Sequence, residues 1–278
     1  MTGPHTTDLH TNHPAPNGAH MPHDLRRHLL AQPLYATTAL TGSPVAVEAL
    51  SGTPFAALCL DMEHTTLHPA AVENLVRAAD AGRKPVVVRV PDIGSDINRV
   101  LDAGAAGIVV PQVESAEQAR AVVARARFAP VGRRGLGATR GADYGAGITP
   151  DFTARENDRV LLAVQIESVE AVAAADDILA VDGVDAVVIG PGDLSASLGT
   201  PMGSDAFWAA VDEVFAAAVR QGVAPGAFCF RDAELGGFVR RGARLLLVGS
   251  DIGWLVQGAA AQWAALQEAV APIAEGVR

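Results

Sequence analysis

The sequence predicts a single-domain (β/α)8 barrel, a TIM barrel, from three observations. Short apolar runs of strand length alternate about eight times with Ala-rich amphipathic stretches, the order of a βα repeat. At 49 % hydrophobic but 5 % aromatic residues, the composition suits packed βα units better than an aromatic-rich β-sandwich. The runner-up, an open doubly wound sheet, would normally carry a phosphate-binding glycine fingerprint after its first strand. Gly135, Gly137 and Gly141 fail as that fingerprint because their segment follows a helix.

The strands are expected at Leu34 to Ala39, Phe55 to Leu60, Val86 to Val90, Gly107 to Pro111, Val160 to Ile166, Ala186 to Gly190, Pro225 to Phe230 and Leu245 to Gly249. Between them, Pro69 to Ala81, Ser115 to Phe128, Ser168 to Val181 and Asp205 to Gln221 carry helical periodicity. Residues 29–278 form the expected barrel domain. Residues 1–28 are expected to be a disordered tail, with His5, His10, His13, His20 and His23 as an appended or lineage-specific feature more than a metal site. The Gly- and Arg-rich stretch from Gly132 to Gly147 reads as an ordered loop at a subunit contact or near the site, or as a solvated linker.

With 278 residues, the chain is long enough for a well-buried core. Its net charge of -10 excludes sequence-independent nucleic-acid binding, which needs a basic surface. No run is long enough to span a bilayer, and no leader-like apolar segment opens the chain. Cys59 and Cys229 each sit in an apolar run as core residues, which fits a reducing cytoplasm.

Candidate chemistry collects where strands end, as it does in this fold. Glu167 and the Asp193 of Gly190-Pro191-Gly192-Asp193 terminate successive parallel runs and should stand side by side. Two adjacent hard-oxygen ligands suggest a divalent cation, although both could merely cap the following helices. Asp61, Glu63 and His64 follow the second run, and Arg89 closes the third. An arginine in an apolar strand needs an anion, either a substrate or an ion-pair partner such as Asp61 or Glu63. His64 suits proton transfer, and His68, before Pro69, is incidental. The only lysine, Lys84, precedes the third strand and lies at the wrong end for Schiff-base catalysis.

In order and spacing, several segments resemble the HpcH/HpaI family of class II pyruvate aldolases. They include Asp61-Met62-Glu63-His64, Val88-Arg89-Val90-Pro91, Leu101-Asp102-Ala103-Gly104, Gln165-Ile166-Glu167, Gly190-Pro191-Gly192-Asp193-Leu194-Ser195 and Gly249-Ser250-Asp251. The resemblance implies reversible cleavage of a 4-hydroxy-2-oxo acid into pyruvate, or a related 2-oxo acid, and an aldehyde through a metal-stabilised enolate. It implies that Glu167 and Asp193 hold Mg2+, Mn2+ or Co2+, that Arg89 donates to the keto oxygen, that Gln165 orients the metal shell, and that the N-H groups at Gly192 and Asp193 hold the carboxylate. Asp61 joins the catalytic candidates beside Arg89. By the same resemblance His64 works with Asp102. Asp102 ends a helix at the far side of the barrel, so it would have to come from a neighbouring subunit, in keeping with a hexamer built as a trimer of dimers with shared sites. Thr37-Thr38-Ala39-Leu40, near the end of the first strand, and Met62 depart from the family pattern and are expected on the aldehyde side. The alternatives are the same enolate chemistry on another electrophile, such as an acyl-CoA in the manner of citrate lyase β-subunits and malyl-CoA lyases, and a catalytically silent barrel.

Overall fold

Strand side chains turn alternately inward and outward, and the two sets build separate layers of the core. The computed structural model describes residues 24–275. Its strands are β1 (Leu34–Ala39), β2 (Ala57–Asp61), β3 (Val86–Arg89), β4 (Gly107–Val110), β5 (Leu161–Ile166), β6 (Ala186–Ile189), β7 (Ala224–Cys229) and β8 (Leu245–Ser250). They pair in parallel in sequence order and close through β1 and β8. Inward-facing Ala36, Cys59, Val87, Val109, Ala163 and Val188 form the inner core. Their outward neighbours, among them Leu60, Val88, Val110, Val164 and Ile189, pack beneath the helices.

The helices are α1 (Leu25–Ala31), α2 (Pro44–Ser51), α3 (Pro69–Ala81), α4 (Asp96–Asp102), α5 (Ala116–Ala126), α6 (Phe152–Arg159), α7 (Val169–Ala173), α8 (Ala175–Leu179), α9 (Pro191–Leu198), α10 (Asp205–Gln221), α11 (Asp232–Arg240) and α12 (Asp251–Glu275). Proline at the first turn and a following glycine delimit α3, so its ends match the sequence expectation. The single helix expected over Ser168 to Val181 is instead two. Ala174 leaves helical geometry at φ -94°, ψ 6°, and the bend buries Ala171 and Val172 as well as Ile178 and Leu179.

Helix α1 corrects the boundary expected at residue 28. Asp24 caps it through the Arg27 N-H, and Leu25 and Leu29 close the lower end of the inner core, so the folded part begins before that boundary. The tail histidines from His5 to His23 lie outside the described residues. The segment 132–147 is ordered and packs at this lower end. Arg140 donates to Ala103 O and pairs with Asp80, away from the chain's own site. Helix α12 leaves the barrel instead of folding back onto it, exposing Leu255, Val256, Trp263 and Leu266. Among the described residues, no helix is long and apolar enough to cross a membrane.

Candidate active site

Strand register brings the polar groups together at the upper, C-terminal end. The β2–β3 pairing sets Asp61 directly beside Arg89. Arg89 Nε donates to Asp61 Oδ1 at 2.9 Å and Nη2 to Oδ2 at 2.7 Å. Arg89 Nη1 lies 3.2 Å from Glu63 Oε2, and the guanidinium carbon stands 4.3 Å from the centroid of the Phe228 ring. Burial favours loss of the Arg89 charge, but the bonds and charge of Asp61 outweigh it and raise the guanidinium above its usual value. Asp61 also accepts from Glu63 N at 3.0 Å, so one carboxylate orients Arg89 and the turn carrying Glu63 and His64.

Glu167 stands beyond the end of β5. Its Oε1 accepts from Gln112 N at 2.9 Å, while Oε2 accepts from Gln165 Nε2. Gln112 holds a left-handed backbone at φ 55° without being glycine, a strain that aims its N-H at Glu167. Gly190 passes so close that a Cβ there would meet Glu167 Oε2 at 2.4 Å and Gln165 Nε2 at 2.9 Å. Pro191 then opens α9, leaving the first-turn N-H groups of Gly192 and Asp193 directed out of the helix end. Burial chiefly, with the nearby charge of Asp193, lifts the Glu167 carboxyl above the ordinary glutamate range; Gln165, Gln112 and Arg89 pull it back in part.

These groups surround a cavity of about 300 Å³ lined by His64, Arg89, Gln165, Gly192, Asp193 and Phe228, and closed on its far side by Met202, Phe230, Arg231 and Glu234. His64 Nε2 lies 3.7 Å from Glu63 Oε2 with its ring largely exposed. Burial pushes the Cys59 thiol, beneath Arg89, up to about 12, so it is neutral and unsuited to nucleophilic attack.

The donor set fits a hard divalent cation. Glu167 and Asp193 supply two carboxylates, and Gln165 Oε1 is buried with no hydrogen-bond partner. Among the described residues no group of three or more His, Cys, Asp or Glu side chains could hold a metal by itself, so this pair would need water or substrate oxygens to complete a shell.

Of the site residues read from sequence, His64, Arg89, Gln165, Gly192 and Asp193 line the cavity, and Glu167 contacts Gln165 beside it. Asp61 does not line it. Its side chain is 1 % exposed and is engaged by Arg89, so the geometry makes it a positioning residue. Asp102 ends α4 at the lower end and pairs with Arg134 at 2.7 Å, remote from the chain's own His64. The expectation for Met62 fails. The alternation that turns Asp61 inward sends Met62 outward into the layer beneath the helices. Neither Thr37 nor Thr38 lines the cavity: Thr37 faces outward and its Oγ1 accepts from Trp254 Nε1 of α12 at 3.2 Å, whereas Thr38 shares the inward face of Cys59 and is buried. Lys84 donates to the Thr53 and Phe55 carbonyls at the lower end, as its position before β3 requires.

Sequence reasoning missed Gln112, Met202, Phe230, Arg231 and Glu234. Gln112 carries no sequence mark of its strained backbone. Met202 comes from the α9–α10 connection, whose course the strand pattern does not fix, and Glu234 from the first turn of α11, although Phe230-Arg231 directly after β7 is where this fold places functional groups.

The sequence is 37 % identical over 238 residues to a hydroxypyruvate/pyruvate aldolase of Delftia acidovorans, covering 83 % of this chain and 87 % of the relative. It is 36 % identical to a 4-hydroxy-2-oxovalerate aldolase of Novosphingobium aromaticivorans, covering 78 % and 83 %. The crystal structure of an HpcH/HpaI aldolase from Desulfitobacterium hafniense superposes with a TM-score of 0.81 at 33 % identity, covering 88 % of this chain and 96 % of that one. With residues 39–258 matching the family as a whole, the chain belongs to the HpcH/HpaI aldolase/citrate lyase family.

Proposed function

We propose that the protein is a divalent-metal-dependent aldolase that reversibly cleaves a 4-hydroxy-2-oxo acid into pyruvate, or a related 2-oxo acid, and an aldehyde. The observation that carries this reading is the convergence of Asp193, Arg89 and a bare helix N-terminus on one small cavity, with Glu167 beside it through Gln165. Glu167 and Asp193 would hold the cation, with Gln165 supporting Glu167, and Mg2+, Mn2+ or Co2+ suits these ligands. When bound, the cation supplies Lewis acidity toward the oxygens of a 2-oxo acid.

The chain's own groups divide the remaining work. The N-H groups of Gly192 and Asp193 bind the substrate carboxylate at the start of α9. Arg89, held in one orientation by Asp61, donates to the keto oxygen. His64 takes the 4-hydroxyl proton, directly or through water, as the C3–C4 bond breaks. The electron pair of that bond forms the C2–C3 double bond of the enolate, whose developing oxygen charge Arg89 stabilises. The aldehyde leaves and C3 regains a proton to give the 2-oxo acid.

A homo-oligomer with shared sites, a hexamer arranged as a trimer of dimers, is part of this reading. Asp102 of one subunit would assist His64 of another. Asp102 stays partly exposed beside Arg134, and α12 exposes Trp263 and Leu266, surfaces that a second copy would cover. Two free buried cysteines suit a reducing cytoplasm as the location.

Pyruvate release from 4-hydroxy-2-oxo acids, assayed with and without chelator, tests the chemistry. Chelator should abolish turnover and added Mn2+ or Mg2+ restore it; turnover indifferent to chelator would rule the metal-dependent mechanism out. Mixing inactive His64→Ala and Asp102→Ala chains should regenerate activity if sites are shared. Subunit exchange without recovery would assign Asp102 a different role.

A further inference from the structure

We propose that Gln112 is a positioning residue for the cation site, its left-handed backbone holding Glu167 in the orientation of a metal ligand before any metal arrives. The proposal rests on the metal-dependent reading above and adds to it the residue that prepares the site.

Strand β4 ends at Val110 and is followed by Pro111, which has no N-H to give to the sheet. The next two N-H groups both turn toward β5. Gln112 N donates to Glu167 Oε1 at 2.9 Å, and Val113 N to Gln165 O at 3.4 Å. Extended backbone would send successive N-H groups to opposite neighbours, so one residue must leave the extended region for both to reach the same strand. Gln112 does so, at φ 55°. Side chains other than Gly, Asn and Asp rarely adopt that region, and a conformation retained against such a preference points to a function it serves. Among the described residues the other non-glycine positions with positive φ, Arg83, Asp143 and Tyr144, lie toward the lower end of the barrel.

The two proposed ligands differ in how they are held. Both oxygens of Glu167 accept hydrogen bonds, Oε1 from Gln112 N and Oε2 from Gln165 Nε2. The plane of the carboxylate is thereby set, while each oxygen keeps a lone pair for a cation. Asp193 is exposed in the first turn of α9, and its side chain accepts no hydrogen bond among the described residues. Preparation of the pair therefore rests on Glu167, since a ligand already ordered gives up little freedom on binding. The Gln112 side chain makes only a long contact, Nε2 to Glu63 Oε1 at 3.4 Å, so the backbone N-H is the firmer of its two links.

Mn2+ titration of the full chain separates backbone from side chain. Gln112→Gly and Gln112→Val both lack the amide, but glycine adopts the left-handed region freely whereas a β-branched residue resists it. Gln112→Gly should bind Mn2+ within about threefold of the wild type, and Gln112→Val about 10- to 100-fold more weakly, the range for losing a partner of a metal ligand. Gln112→Asn, whose side chain tolerates this backbone, should stay with Gln112→Gly. A purely structural role would lower the melting temperature of Gln112→Val and leave the Mn2+ affinity of the folded protein unchanged. Should Gln112→Val not fold, Gln112→Ala takes its place against Gln112→Gly, with the same order expected. Equal affinity in Gln112→Gly and its more strained counterpart overturns the assignment, whether both match the wild type or both are weak. Saturable wild-type binding without the expected order removes only the role of Gln112, whereas no saturable binding by the wild type removes the metal-dependent reading and this assignment with it.

Discussion

Both ends of the barrel bury an arginine against an aspartate, and the two pairs differ in what surrounds them. At the lower end Arg127 donates to the carbonyls of Asn157, Val160 and Gly183 and to Asp185 Oδ2 at 2.6 Å, while Asp185 also accepts from Arg26 and from the Leu162 N-H. At the upper end Arg89 and Asp61 are equally well paired, yet around them Gln165 Oε1 and Thr38 Oγ1 are buried without partners and Glu167 is held near a second carboxylate. A buried polar group left unsatisfied costs stability, so its retention calls for an occupant, whereas a satisfied one needs none. The lower network holds the fold. The upper one leaves Gln165 Oε1 without a partner beside the cavity, where the proposed ligand would meet it.

Substitutions should separate the two ends. The largest effect is expected for Glu167→Ala and Asp193→Ala, which should each reduce metal-dependent deuterium exchange into pyruvate to background while leaving thermal stability near wild type. Exchange retained in both would take the carboxylates out of the site. At the lower end, Arg127→Met leaves Asp185 short of its closest cation and should cost roughly 3–5 kcal/mol in denaturant unfolding. A cost below about 1 kcal/mol would mean that Arg26 alone satisfies Asp185, erasing the contrast. Gln165→Leu removes the amide that orients Glu167 and should weaken metal binding by about 10- to 100-fold, read by Mn2+ titration.

The contrast extends to pH. Burial, with the charge of Asp193, raises the Glu167 carboxyl in the folded chain above its unfolded value of 4.5. The metal-free fold thus binds this proton more tightly than the unfolded chain, and the associated stability is present below the unfolded value and lost as pH rises through the folded one. A cation requires the ionised carboxylate, so its affinity should weaken as pH falls, by at most about tenfold per unit for one proton. The midpoint in a pH series of Mn2+ titrations should lie above that of an ordinary glutamate. A midpoint at or below about 4.3 would show that Glu167 is not the titrating ligand.

The barrel was legible in the sequence because its strands are short apolar runs buried on both faces, separated by helix-length amphipathic stretches that carry their own punctuation. Pro69 and Gly82 bracket α3, and all eight expected strands overlap those observed. Period-2 alternation placed Gln165 and Glu167 on the face of Ala163, and it also contradicts an inward Met62, since Asp61 already faces in. Helix α1 was obscured by its place next to a polar, His-rich tail, although Leu25 and Leu29 recur at helical spacing. The far wall of the cavity was not legible. Met202 meets Arg231 at the start of α11 only through the course of the α9–α10 connection, and the left-handed backbone of Gln112 is imposed by tertiary context on a residue with no preference for it. Candidate site residues on strand ends could therefore be read from sequence, whereas the far wall of the cavity could not.

The most direct test of this account is Mn2+ binding by calorimetry to the wild type and to Glu167→Gln, which keeps the shape and polarity of the side chain but removes its charge. The account predicts saturable stoichiometric binding by the wild type, with a release of protons that grows as pH falls toward the raised Glu167 value, and loss of that binding in the variant. Equal affinity in the two proteins would contradict it and return Glu167 to the status of a buried structural carboxylate.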